Sequence, residues 1–126
     1  MRLVLDSGAL IALERNDRAM WRRFKAAQLV GEVPVSHGGV VGQAWRGRGP
    51  QQALLAKALA GIQVRPLDDT LGRAAGELLG SARRSDVIDA ALVLLAEDGD
   101  LIVTSDPNDI EPLAVASDRH VELIRV

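Results

Sequence analysis

Five short apolar runs, separated by segments of helical length, restrict this chain to few folds. Leu3-Val4-Leu5, Val33-Pro34-Val35-Ser36, residues 62–67, Leu101-Ile102-Val103-Thr104 and residues 120–126 read as strands. Helical patterns fill most of the intervals. Residues 9–15 form a short helix, and Asp17 serves as N-cap for a second that runs through Trp21 and Phe24 to about Leu29. Further helices are expected over 40–45, from Pro50 to Gly61, over 69–79, and over 87–95 behind a cap at Ser85 or Asp86. Ser105-Asp106-Pro107 reads as the turn closing the fourth strand, with no element assigned before residue 120. Strands alternating with helices predict an α/β fold with a mainly parallel sheet.

The chain has 126 residues, which suits a single domain spanning 1–126 and one core that needs no staples. There is no cysteine, so neither a disulfide framework nor a thiolate zinc site is available. A net charge of −2 removes any global basic field of the kind that announces a nucleic-acid binder. Arginines gather at Arg22, Arg23, Arg46, Arg48, Arg83 and Arg84, while aspartates concentrate toward the two ends of the chain. The opening Met1-Arg2-Leu3-Val4-Leu5 begins like a secretory signal, but Asp6 interrupts the apolar run. No stretch approaches the roughly 20 apolar residues of a spanning helix, so no membrane partner and a cytoplasmic location are expected.

The chemistry is carried by aspartates. Asp6 follows the first strand, Asp106 follows the fourth, and Asp86 opens a long apolar helix with Asp89 one turn farther along. Asp109 follows Asp106 by the same interval. Open α/β sheets bind ligands beyond the carboxyl ends of strands where the strand order reverses. If the first and fourth strands are neighbours there, Asp6 and Asp106 face one crevice. Converging carboxylates repel and raise one another's pKa values, and a hard divalent cation relieves that repulsion. Each residue also has a plain structural reading. Asp6 and Asp86 suit helix caps, Asp106 before Pro107 suits a turn, and Asp109 suits an exposed turn. Asp89 resists that reading, because an unpaired carboxylate inside an apolar helix is costly.

Leu3-Val4-Leu5-Asp6-Ser7-Gly8-Ala9-Leu10, Ser85-Asp86-Val87-Ile88-Asp89-Ala90-Ala91 and Val103-Thr104-Ser105-Asp106-Pro107-Asn108-Asp109 resemble three motifs of the PIN-domain family. In these, Asp is followed by Ser or Thr, an Asp enters an Ala-rich helix, and Thr-x-Asp closes a strand. The resemblance covers essentially the whole chain and within the family is most similar to VapC toxins of type II toxin–antitoxin systems. It implies a three-layer α/β/α domain with strand order 3-2-1-4-5. It also implies Mg²⁺-dependent RNA cleavage (Mn²⁺ being an alternative ion), a homodimer and a VapB-like antitoxin partner. Carried onto this chain, Asp6, Asp86 and Asp106 become the catalytic and metal-holding residues, with Asp89, Asp109, Gln43, Ser7 and Thr104 in support.

The second motif departs from the family. A Glu is usual in the helix after the second strand, and here Val40-Val41-Gly42-Gln43-Ala44-Trp45 presents Gln43, which keeps a carbonyl oxygen and loses the charge. Glu14, two helical turns past Asp6, is a conceivable substitute, although a solvated helix end is the simpler role. Trp21 and Phe24 share a helix face that suits either core or an antitoxin groove. His37 and His120 lack metal-ligand spacing and read as structural. Gln43 keeps a second reading open, a non-catalytic PIN-like module that binds RNA or an antitoxin. A phosphotransferase of the haloacid-dehalogenase or receiver type fits less well. The former needs an Asp where this chain has Gly8, and the latter needs an acidic pair beside the first strand.

Overall fold

The computed structural model describes residues Met1–Val126. Its strands are β1 (Leu3–Leu5), β2 (Val35–His37), β3 (Gln63–Arg65), β4 (Leu101–Thr104) and β5 (Glu122–Arg125). They form one five-stranded parallel sheet in the order β3-β2-β1-β4-β5. The helices are α1 (Ser7–Glu14), α2 (Arg18–Leu29), α3 (Gly38–Ala44), α4 (Gln52–Leu59), α5 (Asp69–Ala82), α6 (Val87–Leu95) and α7 (Pro107–Ala116). Helix α1 packs with α2, α3 and α4 on one side, and α5, α6 and α7 pack together on the other, giving three layers. No helix is long and apolar enough to cross a membrane.

Strands β1, β2 and β4 are buried along their whole length, as expected where helices cover both faces of a parallel sheet. The outer strands β3 and β5 are polar and more exposed, carrying Gln63, Arg65, Glu122 and Arg125. Such charge at an open edge discourages pairing with another chain. The core is one cluster of 28 buried apolar residues in which Leu5, Leu10, Phe24, Leu92 and Ile102 are among the largest.

Several element bounds differ from those read in the sequence, each for a local reason. The stretch after Asp106 is helix α7, where a turn alone was expected. Pro107 sits in the first turn, where its missing N–H costs nothing, and the helix also accommodates Pro112. Helix α3 begins at Gly38, because the buried His37 caps it by accepting the Gly39 N–H at Nδ1. Helix α5 runs on to Ala82 and stops at Arg83, which is left-handed at φ 55°. Helix α4 starts at Gln52, two residues after Pro50.

Strands β1 and β4 are also tied at their amino ends, by a pair that charge patterning does not reveal. Asp100 is 4% exposed and accepts from the Arg2 backbone N–H (3.0 Å), the Arg2 guanidinium (3.1 Å) and the Glu97 N–H (2.9 Å). Burial alone would raise the Asp100 pKa, but the bonds from Glu97 and Arg2 outweigh it and hold the carboxyl below its ordinary range. Asp100→Ala should therefore destabilise the fold by about 2–3 kcal/mol, since three donors lose a charged acceptor. Because the native pKa is depressed, this contribution is present above the unfolded pKa and fades as pH falls through the native one. Urea unfolding at neutral pH checks the prediction; an unchanged midpoint would contradict it.

Candidate functional site

The sheet order reverses between β1 and β4, and the segments leaving their carboxyl ends meet there. Asp6 leaves β1 and caps α1, accepting the Ala9 N–H at Oδ1 (2.9 Å). Its Oδ2 accepts the Ser105 N–H from the end of β4 (3.2 Å). Asp6 is thus a helix cap and a bridge between the two segments, and only 7% of it is exposed. Thr104 is fully buried and its Oγ1 accepts the Asp106 N–H (3.0 Å), which shapes the turn carrying Asp106. Asp106 is the N-cap residue of α7 yet makes no side-chain capping bond. Its carboxyl lies near enough to that of the exposed Asp109, one turn along, to raise the Asp109 pKa. On α6, Asp86 caps the helix by accepting the Asp89 N–H (3.0 Å), and Asp89 is half-buried beneath it.

Asp89 lies in the combined field of the other four. Burial, followed by the charges of Asp86, Asp6, Asp109 and Asp106, lifts its pKa from the ordinary 3.8 to about 6. The Asp109 pKa is also raised, first by its hydrogen bond to Asp106 and then by that residue's charge, with Arg84 opposing. Asp86, Asp89 and Asp109 line a cleft of about 180 Å³ with Arg84, Ser85 and Leu113. Clefts of about 540 and 680 Å³ lie elsewhere, beneath α7 and beside α5, and neither is lined by any of these five aspartates.

The donors are all carboxylate oxygens, the set that suits a hard divalent cation. In the side-chain arrangement seen, however, no three acidic or histidine side chains are grouped closely enough to hold one ion. The five aspartates share a field without meeting at a point. The carboxylates therefore fit the ion in charge and donor type, and side-chain rotation would have to complete the shell.

The other residues singled out in the sequence divide. Ser7 is half-buried in the first turn of α1 and makes no side-chain hydrogen bond. Gln43 is exposed on α3 and makes none either. Glu14 lies at the far end of α1 from Asp6, where Gln52 donates to it, so it does not substitute for the missing acid. Trp21 and Phe24 are both core residues, at 9% and 1% exposure, and leave no aromatic groove for a partner helix.

Two glycines and a histidine support the site without having been marked for it. A Cβ at Gly8 would lie 2.5 Å from Ser105 Cβ, so only glycine lets α1 come close enough for the Asp6–Ser105 bond. A Cβ at Gly39 would meet Ile88 Cδ1 at 2.5 Å, where α3 packs on the first turn of α6. His37 joins the same elements, its Nε2 lying 2.9 Å from the Ile88 carbonyl. The Gly-Gly pair and a histidine ending a strand were the available signals, but neither shows in a sequence which partner it meets.

The raised Asp89 pKa fixes the sign of a stability effect in chelator. A carboxyl with an elevated native pKa contributes stability that is present below the unfolded pKa and lost as pH rises through the native value, here about 6. Asp89→Asn should match the wild-type melting temperature near about pH 4 and exceed it at about pH 7. Thermal melts in EDTA at the two pH values check this. A difference independent of pH would show that Asp89 does not titrate as described.

No family model matches the chain, and no curated protein matches it. Among solved structures it superposes on a chain of VapBC2 from Rickettsia felis, a complex bound to a DNA fragment from their promoter. The TM-score is 0.69 over 98% of both chains, at 11% sequence identity. At that identity the likeness bears on architecture alone. With its parallel five-stranded sheet in the order β3-β2-β1-β4-β5 between two helical layers, this chain has a VapC-like PIN-domain fold.

Proposed function

We propose that this chain is the toxin of a toxin–antitoxin pair and acts as a divalent-metal-dependent endoribonuclease of the cytoplasm. The observation that carries the reading is the gathering of five carboxylates around the switch point, where burial first and then the charges of the other four lift Asp89 to about 6. A purely structural set of caps has no need for such a concentration of like charge, which costs stability. Metal sites and catalytic sites do need it.

In this reading Asp6, Asp86 and Asp106 hold Mg²⁺ or Mn²⁺, with Asp89 and Asp109 beside them. When bound, such an ion acidifies a water and neutralises charge building on a phosphoryl group. The chain's own contribution is placement. The two backbone N–H groups on Asp6 fix its carboxylate, and Thr104 fixes the turn that presents Asp106. Arg84, close enough to act on Asp109, offers the edge of the cleft a cation for an incoming phosphate. The expected partners are RNA as substrate, a second copy of the chain and a VapB-like antitoxin. An antitoxin Arg suits the acidic cleft, because its planar fork pairs with carboxylates.

Gln43 supports a second reading, in which the chain binds RNA or an antitoxin without cutting. Cleavage of total RNA in Mg²⁺, Mn²⁺ and EDTA separates the two. Asp106→Asn is the informative variant, because Asp106 makes no backbone capping bond whereas Asp6 makes two. Metal-dependent cleavage should fall by about 10- to 100-fold or more in that variant, with no loss of melting temperature. Wild-type protein that leaves RNA intact in either ion would favour the non-cutting module.

A further inference from the structure

Although the chain carries a net charge of −2, the only charged residues lining one of its surface clefts are cations. Helix α2 presents Arg18, Trp21, Arg22 and Lys25 at helical spacing, and α4 presents Leu54 and Lys57 across from them. Together they line a cleft of about 480 Å³ that contains no acidic residue. None of the four cations takes part in a salt bridge, for those of this chain involve only Met1, Arg2 and Arg73. The nearest carboxylates in sequence are engaged elsewhere. Asp17 caps α2 through the Met20 N–H, and Glu14 accepts from Gln52.

The two lysines converge from different helices on one ring. Lys25 Nζ lies 5.9 Å and Lys57 Nζ 6.0 Å from the Trp21 ring centre. The indole itself is fixed, its N–H donating to the Leu13 carbonyl (3.0 Å) and its ring set edge-on to Phe24 at 5.5 Å. A cation–π contact holds each ammonium loosely and does nothing to cancel the repulsion between them. An anion seated between them would cancel it.

We propose that this α2–α4 cleft is a seat for the phosphodiester backbone of a single RNA strand, away from the aspartates. The proposal rests on the reading of the chain as an RNA-cleaving enzyme, and it names where that substrate is gripped. A helical protein partner fits the cleft poorly. Such a partner needs an apolar groove, and here Trp21 and Phe24 are buried while four cations occupy the rim. A phosphate backbone needs only closely spaced cations, which supply sequence-independent, salt-sensitive affinity. The cleft opens beside the carboxyl-terminal end of α1, whose amino-terminal end carries Asp6. That helix has eight residues, a length of about 12 Å. A short strand can therefore engage both places, with the cleft supplying the attraction that the acidic edge lacks.

Binding of a labelled single-stranded oligoribonucleotide, in several base compositions and in EDTA so that nothing is cut, tests the seat. The variant joins Arg18→Gln, Arg22→Gln, Lys25→Gln and Lys57→Gln, all at exposed positions. It should bind at least tenfold more weakly than wild type. The slope of log affinity against log salt should shrink by about 0.7 for each phosphate contact removed. Arg73→Gln, whose Arg is paired with Asp69 on α5, should change neither quantity. In Mg²⁺ the fourfold variant should raise KM with little change in kcat. Equal affinity and slope in variant and wild type would overturn the proposal, as would a cleft that holds poly-glutamate in preference to RNA. Wild-type protein that binds RNA through the cleft yet never cuts it would instead overturn the catalytic reading and leave the seat standing.

Discussion

Asp6 accepts one backbone N–H from α1 and another from Ser105, and those two bonds close the central seam between β1 and β4 at its carboxyl end. At the amino end Asp100 does the same, collecting donors from Arg2 and Glu97. Between them the strands are buried and, apart from Thr104, apolar, in a register that sets Leu3 against Leu101 and Leu5 against Val103. A parallel pair needs a long crossover, and every helix here belongs to one. The seam therefore decides which helices flank the switch point and which side chains reach it.

That charge is distributed unevenly over the surface. Five aspartates share the sheet edge, where Arg84 acts on Asp109 and Arg125 donates to the Ser105 carbonyl, while four cations outside any salt bridge line the α2–α4 cleft. A net charge near zero conceals both. For a polyanionic substrate the two regions have opposite effects: the cleft attracts, and the acidic edge repels until a cation is present. Binding and cutting would then respond separately to metal, with affinity set mainly by lysine and arginine and turnover by aspartate.

The strands, the Asp17 and Asp86 caps and the apolar α6 are legible in the sequence, because each depends on neighbours within a few residues. The PIN-like motifs extend this to strand order, which local pattern alone does not supply. Features that depend on distant contacts stay hidden. Helix α7 carries Pro112 in its interior, so local preference argues against it, yet Ile110, Leu113 and Ala114 bury its inner face. Helix α3 starts on two glycines only because His37 caps it. The closeness of Gly8 to Ser105 spans nearly the whole chain. Trp21 and Phe24 share a helix face in either role suggested by their spacing, and only the packing of the layers decides for core. In the site, the spacing of Asp86 from Asp89 and of Asp106 from Asp109 predicts neighbours within each pair. It does not predict that Asp86 is tied to Asp89 by a backbone cap while Asp106 makes no capping bond.

The central claim is that these carboxylates close around a divalent cation, so the direct measurement is anomalous scattering from crystals soaked in Mn²⁺. One peak or more is expected at the carboxyl edge between β1 and β4, with oxygens of Asp6, Asp86 and Asp106 as ligands, directly or through water. Fully soaked crystals showing no peak there would contradict it.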